Sequence, residues 1–330
     1  MAPIRLTLAC WNYDRTRALV EGRIRPDGIE LTCLSLPVEE TFFRMTRHRE
    51  FDVAELSLSS YVISLCRPDA PFVAIPVFPS RSFRHSCIYV HAGSGIRTPN
   101  GLIGKRVGSP EFQLTACVWI RGILAEDYGV PIDGVTYVIG GQEEPGRREK
   151  LALDLPPAIR IERIGPADTL AAMLDCGRID ALYTPRTPST FRRDGSQVRR
   201  LFEDYPRVER EYFQRTGIFP IMHVIAIRRD VYERDRWIAQ SLQKAFKAAQ
   251  RETYADLSET AALKTMLPWL TAHVEETRRD MGDDFWPYGL ERNRHTLETF
   301  LRYSHAQGLA TRLLTPEDLF APETLESFKI

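Results

Sequence analysis

Short apolar runs alternate with polar, helically spaced stretches along the first ninety residues. IRLTLAC (4–10) reads as a buried opening strand, followed by a polar turn at Trp11-Asn12-Tyr13-Asp14 and a short helix over 14–22. The turn Pro26-Asp27-Gly28 leads into GIELTCLSL (28–36), a second strand, and Pro37-Val38-Glu39-Glu40 opens a helix reaching about Arg47. FDVAELSL (51–58) is a third strand, whose Ser57–Ser60 tail is placed to cap a helix starting near Tyr61. Strands near 73–78 and 86–91 complete an alternation that predicts an open, mostly parallel sheet with helices on both faces.

The pattern restarts after His91-Ala92-Gly93-Ser94-Gly95. LIGKRVGS (102–109) reads as a strand, 113–128 as a helix stopped at Gly129, and VTYVIGG (135–141) as another strand. The polar stretch 142–160 reads as loop or partial helix. DTLAAMLDCGRIDALYTP (168–185) reads as a capped helix, a stop at Gly177 and a strand, whereas 187–216 is polar and irregular. A strand at 221–227 precedes amphipathic helical patterns over 231–267 and 290–307.

At 330 residues the chain exceeds what one core usually organises, so two domains of roughly 150 residues are expected. Lys plus Arg and Asp plus Glu both number 44, a balance that argues against nucleic acid or an anionic membrane as partner. The six cysteines form no CxxC pair and mostly sit in apolar segments, which predicts reduced, buried thiols. MAPIRLTLACWNYDR runs into a strand without a basic leader, and no apolar run approaches a membrane span, so a soluble cytoplasmic protein is the expectation. Phosphate-loop, dinucleotide-fingerprint and nucleophile-elbow motifs are absent from the sequence.

GLIGKRVG before a helix, together with LAAMLDCGRIDAL at 170–182, resembles the type-two periplasmic-binding-protein superfamily. Four longer blocks narrow the likeness: SFRHSCIYV (82–90), EFQLTACVWIRGILAEDYGV (111–130), TGIFPIMHVIAIRRDV (216–231) and MGDDFWPYGLERNR (281–294). In that order they resemble the 4,5-dihydroxyphthalate decarboxylase family. The resemblance implies a two-lobed α/β fold with an interdomain cleft, one lobe from 1–90 plus 218–330 and the other from 91–217. Crossovers near 91–95 and 214–218 would then act as hinges. It also implies loss of CO2 from a dihydroxylated benzene dicarboxylate, giving 3,4-dihydroxybenzoate, in a homo-oligomer.

That chemistry needs a grip on carboxylates, a proton for the ring carbon that loses CO2, and support for the phenolic oxygens. His85, behind Arg81 and Arg84 in SRSFRHS, is a candidate proton carrier beside two carboxylate-binding cations; the alternative is a solvated surface loop. His223, entering an apolar strand, is a second acid or base, or else a hydrogen-bonded core residue. Glu111 would orient a histidine or deprotonate a phenol; otherwise it stabilises a helix start. Gln113 and Thr115 lie where backbone N–H groups favour a carboxylate, and Ser57, Ser59 and Ser60 offer hydroxyls or caps. Arg186 is a bidentate carboxylate contact or an exposed loop charge, and Trp286, near Asp284, suits packing. No cofactor is expected, although His85, His223 and Glu111 leave a divalent metal open without support from spacing. The rival reading is an aromatic-carboxylate binding protein or sensor of the same fold, since a fold does not dictate activity.

Overall fold

The computed structural model describes residues 2–191 and 196–325. Contacts divide the chain into one unit of Met1–Arg81, Ile221–Leu297 and Leu314–Ile330, and a second of Ser82–Pro220 and Glu298–Leu313. The first crossing thus lies at Arg81–Ser82, about ten residues before the position read from the sequence, and the segment 298–313 joins the second unit. Among the described residues no helix is long and apolar enough to cross a membrane.

In the first unit, β1 (Ile4–Ala9), β2 (Ile29–Leu34), β3 (Val53–Ser57), β4 (Phe72–Ile75) and β11 (His223–Arg228) form one sheet in the order β2-β1-β3-β11-β4. β1 pairs in parallel with β2 and β3, while β11 runs antiparallel to β3 and β4. The sheet is therefore mixed, because β11 re-enters the unit from the end where its parallel neighbours finish. Helices α1 (Asp14–Val20), α2 (Val38–His48), α3 (Leu58–Leu65), α7 (Arg229–Arg234), α8 (Ile238–Ser258) and α9 (Leu270–Met281) complete it. Every residue of β3 is buried, including a carboxylate at Glu55. Apolar side chains such as Leu8, Val53, Leu56, Ile225 and Phe246 build the surrounding core.

The second unit holds a six-stranded sheet. Its strands are β5 (Ile88–His91), β6 (Arg106–Ser109), β7 (Thr136–Ile139), β8 (Arg160–Arg163), β9 (Ala181–Tyr183) and β10 (Val198–Arg200), ordered β10-β5-β9-β6-β7-β8. β6 pairs in parallel with β7 and β9, and β7 with β8; β5 is antiparallel to β9 and β10 to β5. The helices are α4 (Thr115–Tyr128), α5 (Leu170–Asp175), α6 (Tyr205–Thr216) and, from Glu298 onward, α10 (Arg294–Ala306). Gly129 and Gly177 adopt the left-handed conformation at the two stops read from the sequence. β10 and α6 occupy the stretch read as irregular. Tyr212 is the buried residue of α6, so its apolar stripe was too thin to register.

Gly122 on α4 decides how closely that helix meets α10. A methyl group there would sit 2.0 Å from Cδ2 of Tyr303, whose ring packs edge-on to Trp119. Gly122→Ala should therefore destabilise the protein by about 2–3 kcal/mol through overpacking. Urea unfolding measures this, and a loss under about 0.5 kcal/mol would mean that the helices separate freely.

Candidate functional site

The strand-end edge of the first unit gathers polar side chains. The chain leaves β1 through Cys10, Trp11 and Tyr13, while β3 ends at Ser57 and runs directly into α3. β11 starts at the same edge, with His223 opposite Ser57 and Ile225 opposite Glu55. Glu55 and His223 are thus diagonal neighbours on one sheet face, a separation of about 7–8 Å that two side chains span easily. His223 Nδ1 lies 2.6 Å from Glu55 Oε1, which also accepts the Tyr13 hydroxyl at 2.6 Å. Glu55 Oε2 accepts the Trp11 N–H at 3.0 Å and faces the Cys10 thiol at 3.6 Å.

Burial alone would push the Glu55 carboxyl up, but the hydrogen bonds and charge of His223, with those from Trp11 and Tyr13, outweigh it and hold the group below its ordinary range. Burial and the adjacent carboxylate push both the Tyr13 phenol and the Cys10 thiol up, so each stays protonated. The His223 side chain is 17% exposed, against none for Glu55, and Phe42 packs edge-on against its ring at 4.8 Å. Arg15 stacks over Tyr13 at 4.1 Å and Trp286 at 4.3 Å, with Nε donating to Pro79 O at 2.6 Å. Ser57, Ser59 and Ser60 are buried at this edge.

Glu55, Tyr13 and Arg15 were missed from the sequence. The available signal was a lone glutamate inside FDVAELSL, since a carboxylate in an otherwise apolar strand must find donors. Arg81 belongs to the same unit but serves a different purpose. Its guanidinium is buried, donates to Pro287 O at 2.8 Å and also to Asn293 Oδ1, and burial pushes its pKa down to about 9. It ties the 287–293 turn to the sheet. Trp286 donates its indole N–H to Phe78 O at 2.9 Å, and Asp284 accepts the Tyr254 hydroxyl at 3.1 Å.

In the second unit, the loop between β6 and α4 carries Glu111, Gln113 and the first helical residue, Thr115, all buried. Glu111 Oε1 accepts Arg147 Nη2 at 2.7 Å and Lys150 Nζ at 2.6 Å, and Oε2 accepts the Lys150 N–H at 3.3 Å. Its carboxylate pins the 147–150 loop. Gln113 Nε2 donates to Glu149 Oε2 at 2.7 Å and Leu151 O at 3.1 Å, and burial pushes the Glu149 carboxyl up. Arg186 is exposed, with its N–H donating to Thr184 Oγ1 at 3.2 Å.

His85 starts a short 3-10 turn, His85–Cys87, at the entrance to β5. It is 2% exposed and enclosed by Tyr128, Phe202 and Tyr212, whose ring centroids lie 5.2–6.3 Å from its own. Nδ1 makes no hydrogen bond to a described residue. Arg84 beside it is also buried and donates to the Cys87 sulfur at 3.5 Å. The alternative of a solvated surface loop does not hold, because His85 lies in an aromatic box. His85 meets the last residue of α4, whereas Glu111 precedes its first, and the 14 residues between span about 20 Å of helix axis.

Burial pushes the His85 pKa down to about 4. Below the ordinary value of 6.5 the unfolded chain takes up a proton that the folded chain refuses. Stability from this group is therefore lost as pH falls from about 6.5 to about 4, and the loss is complete below that. The expected amount is about 3 kcal/mol. Urea unfolding at pH 7, 5.5 and 4 measures it, and His85→Leu should flatten this part of the curve. An unchanged slope in the variant would sink the assignment.

The three metal candidates do not form a donor set. Two cations take up the Glu111 carboxylate, His85 sits among aromatic rings, and Glu55 engages His223 Nδ1. Among the described residues no group of three His, Cys, Asp or Glu side chains is arranged to hold a metal ion. No family model matches the chain.

The two mixed α/β sheets define a protein of the periplasmic-binding-protein fold. The aliphatic sulphonate binding protein SsuA of Escherichia coli is similar with a TM-score of 0.52 at 14% identity, covering 98% of this chain and 99% of that one. The sulfonate-binding protein SsuA of Methylobacillus flagellatus is similar at a TM-score of 0.50 and 14% identity, covering 98% and 93%. In sequence, the 4,5-dihydroxyphthalate decarboxylase of Comamonas testosteroni is 43% identical over 330 residues, all of both chains. That of Pseudomonas putida is 44% identical over 204 residues, 62% of this chain and 79% of that one. The chain belongs to the 4,5-dihydroxyphthalate decarboxylase family.

Proposed function

We propose that the protein is a carboxy-lyase converting 4,5-dihydroxyphthalate to 3,4-dihydroxybenzoate and CO2. The observation that carries this reading is the 43% identity, end to end, with a decarboxylase of that name. The strand-end edge of the first unit supplies matching chemistry, a part-exposed imidazole hydrogen-bonded to a buried carboxylate. Open α/β sheets bind ligands at such edges.

In the proposed step, a phenolic oxygen para to the departing carboxylate releases electron density into the ring. The carboxylated carbon takes a proton from the His223 imidazolium. The bond from that carbon to the carboxylate breaks, its electron pair restores the ring, and CO2 leaves. His223 then recovers a proton from solvent, so one proton is consumed per CO2 released. Ser57 and Ser59, at the same edge as His223, are assigned to the substrate hydroxyls. Arg81, His85 and Glu111 are assigned supporting roles, because packing or ion pairs already engage them.

We also assign the protein to the cytoplasm, a reading supported by six free thiols. We further assign it a homo-oligomeric state, supported by the exposed apolar run Leu263, Met266, Leu267 and Trp269. Incubation with 4,5-dihydroxyphthalate, followed by chromatography and CO2 detection, tests the reaction. Formation of 3,4-dihydroxybenzoate supports it. Tight binding of the acid without product would overturn it in favour of a binding protein or sensor.

A further inference from the structure

We propose that Glu55 is the positioning residue of this enzyme, holding His223 with its Nδ1 as N–H and its Nε2 as the working nitrogen. The inference rests on the decarboxylase reading only for its kinetic consequence. Its structural content comes from counting donors. A carboxylate offers about four lone-pair sites and, when ionised, only accepts. Four groups surround Glu55: the Trp11 N–H and Cys10 thiol at Oε2, and the Tyr13 hydroxyl and His223 Nδ1 at Oε1.

The first is an obligate donor. Tyr13 and Cys10 keep their protons, because burial beside a carboxylate disfavours phenolate and thiolate. The carboxylate thus has no site left for a proton of its own. The fourth contact must then be N–H to oxygen, which fixes the imidazole tautomer. Phe42 holds the ring plane from the side. The carboxylate thereby fixes the orientation of the ring as well as its tautomer, as second-shell carboxylates do for other functional histidines. Tyr13 links this centre to Arg15, whose guanidinium covers the Tyr13 ring at 4.1 Å.

The test begins with wild-type protein carrying ¹⁵N-labelled histidine, without substrate. His223 is assigned by comparison with His223→Gln. The expected result is a protonated Nδ1 whose proton resonates far downfield, as in a short hydrogen bond to carboxylate. A neutral His223 protonated only at Nε2 would overturn the proposal, whether or not any variant folds.

In Glu55→Gln that downfield signal should vanish. The expected kinetic result is a fall in kcat of about 10²- to 10³-fold with KM within about threefold. Glu55→Asp should restore part of the rate and of the downfield signal. A purely structural Glu55 would lower the folded fraction but leave the kcat, KM and histidine tautomer of the folded molecules unchanged, which would also overturn the proposal. If the wild type turns over no aromatic acid yet shows the expected tautomer, the functional reading fails and the dyad stands.

Discussion

His223→Gln lowers kcat on 4,5-dihydroxyphthalate by about 10²- to 10⁴-fold, the span usual for removing a positioned acid or base, while the fold survives. The ring lies at the first residue of β11 and is part-exposed, so glutamine replaces it without opening a large cavity. The variant leaves the Glu55 carboxylate hydrogen-bonded to Trp11 and Tyr13 and offers it an amide N–H. Circular dichroism and urea unfolding should therefore place its stability within about 1–2 kcal/mol of wild type. Single-turnover measurements separate the chemical step from binding. A rate within threefold of wild type would remove His223 from proton transfer and leave the edge of the first unit without a chemical role.

The second large effect is on stability. Glu111→Ala leaves Lys150, whose side chain is 8% exposed, without its carboxylate, and deprives Arg147 of the same partner. Breaking a buried ion pair from one side costs about 3–5 kcal/mol, because the stranded charge remains out of water. Part of that cost should disappear in the double variant Glu111→Ala, Lys150→Met, which removes the stranded ammonium as well. Urea midpoints of the two single variants and the double variant give the coupling directly. A single-variant loss below about 1 kcal/mol would show that the 147–150 loop rearranges and hydrates Lys150. A catalytic Glu111 would instead show near-native stability with collapsed turnover, so stability and rate together decide its role.

The two histidines singled out in the sequence have contrasting surroundings. The motif SRSFRHS around His85 contains two arginines and three serines, a polarity that fits a solvated loop as readily as a cationic site. The aromatic side chains that enclose it come from α4, from the turn after β10 and from α6, between 43 and 127 positions away. Local polarity carried no trace of them. His223 sits in a more apolar segment, FPIMHVIAI, yet it is the one that keeps part of its ring accessible. Glu111 looked like a helix-start carboxylate free to act, and the loop 36–39 residues downstream returns two cations to it.

Strand and helix spacing, the glycine stops after α4 and α5, and the family likeness were all legible from residues near one another in the chain. Periodicity, caps and turns act over a few residues, so the linear order preserves them. The pairing of Glu55 with His223 was not legible in this way. Those residues are 168 positions apart and meet only because β11 returns antiparallel beside β3 in one register. A shift of one residue would turn each side chain to the other face of the sheet and dissolve the dyad. Local physics determined which elements form; the tertiary register decided which carboxylate holds which imidazole, because burial, hydrogen bonding and charge depend on neighbours that only the folded chain supplies.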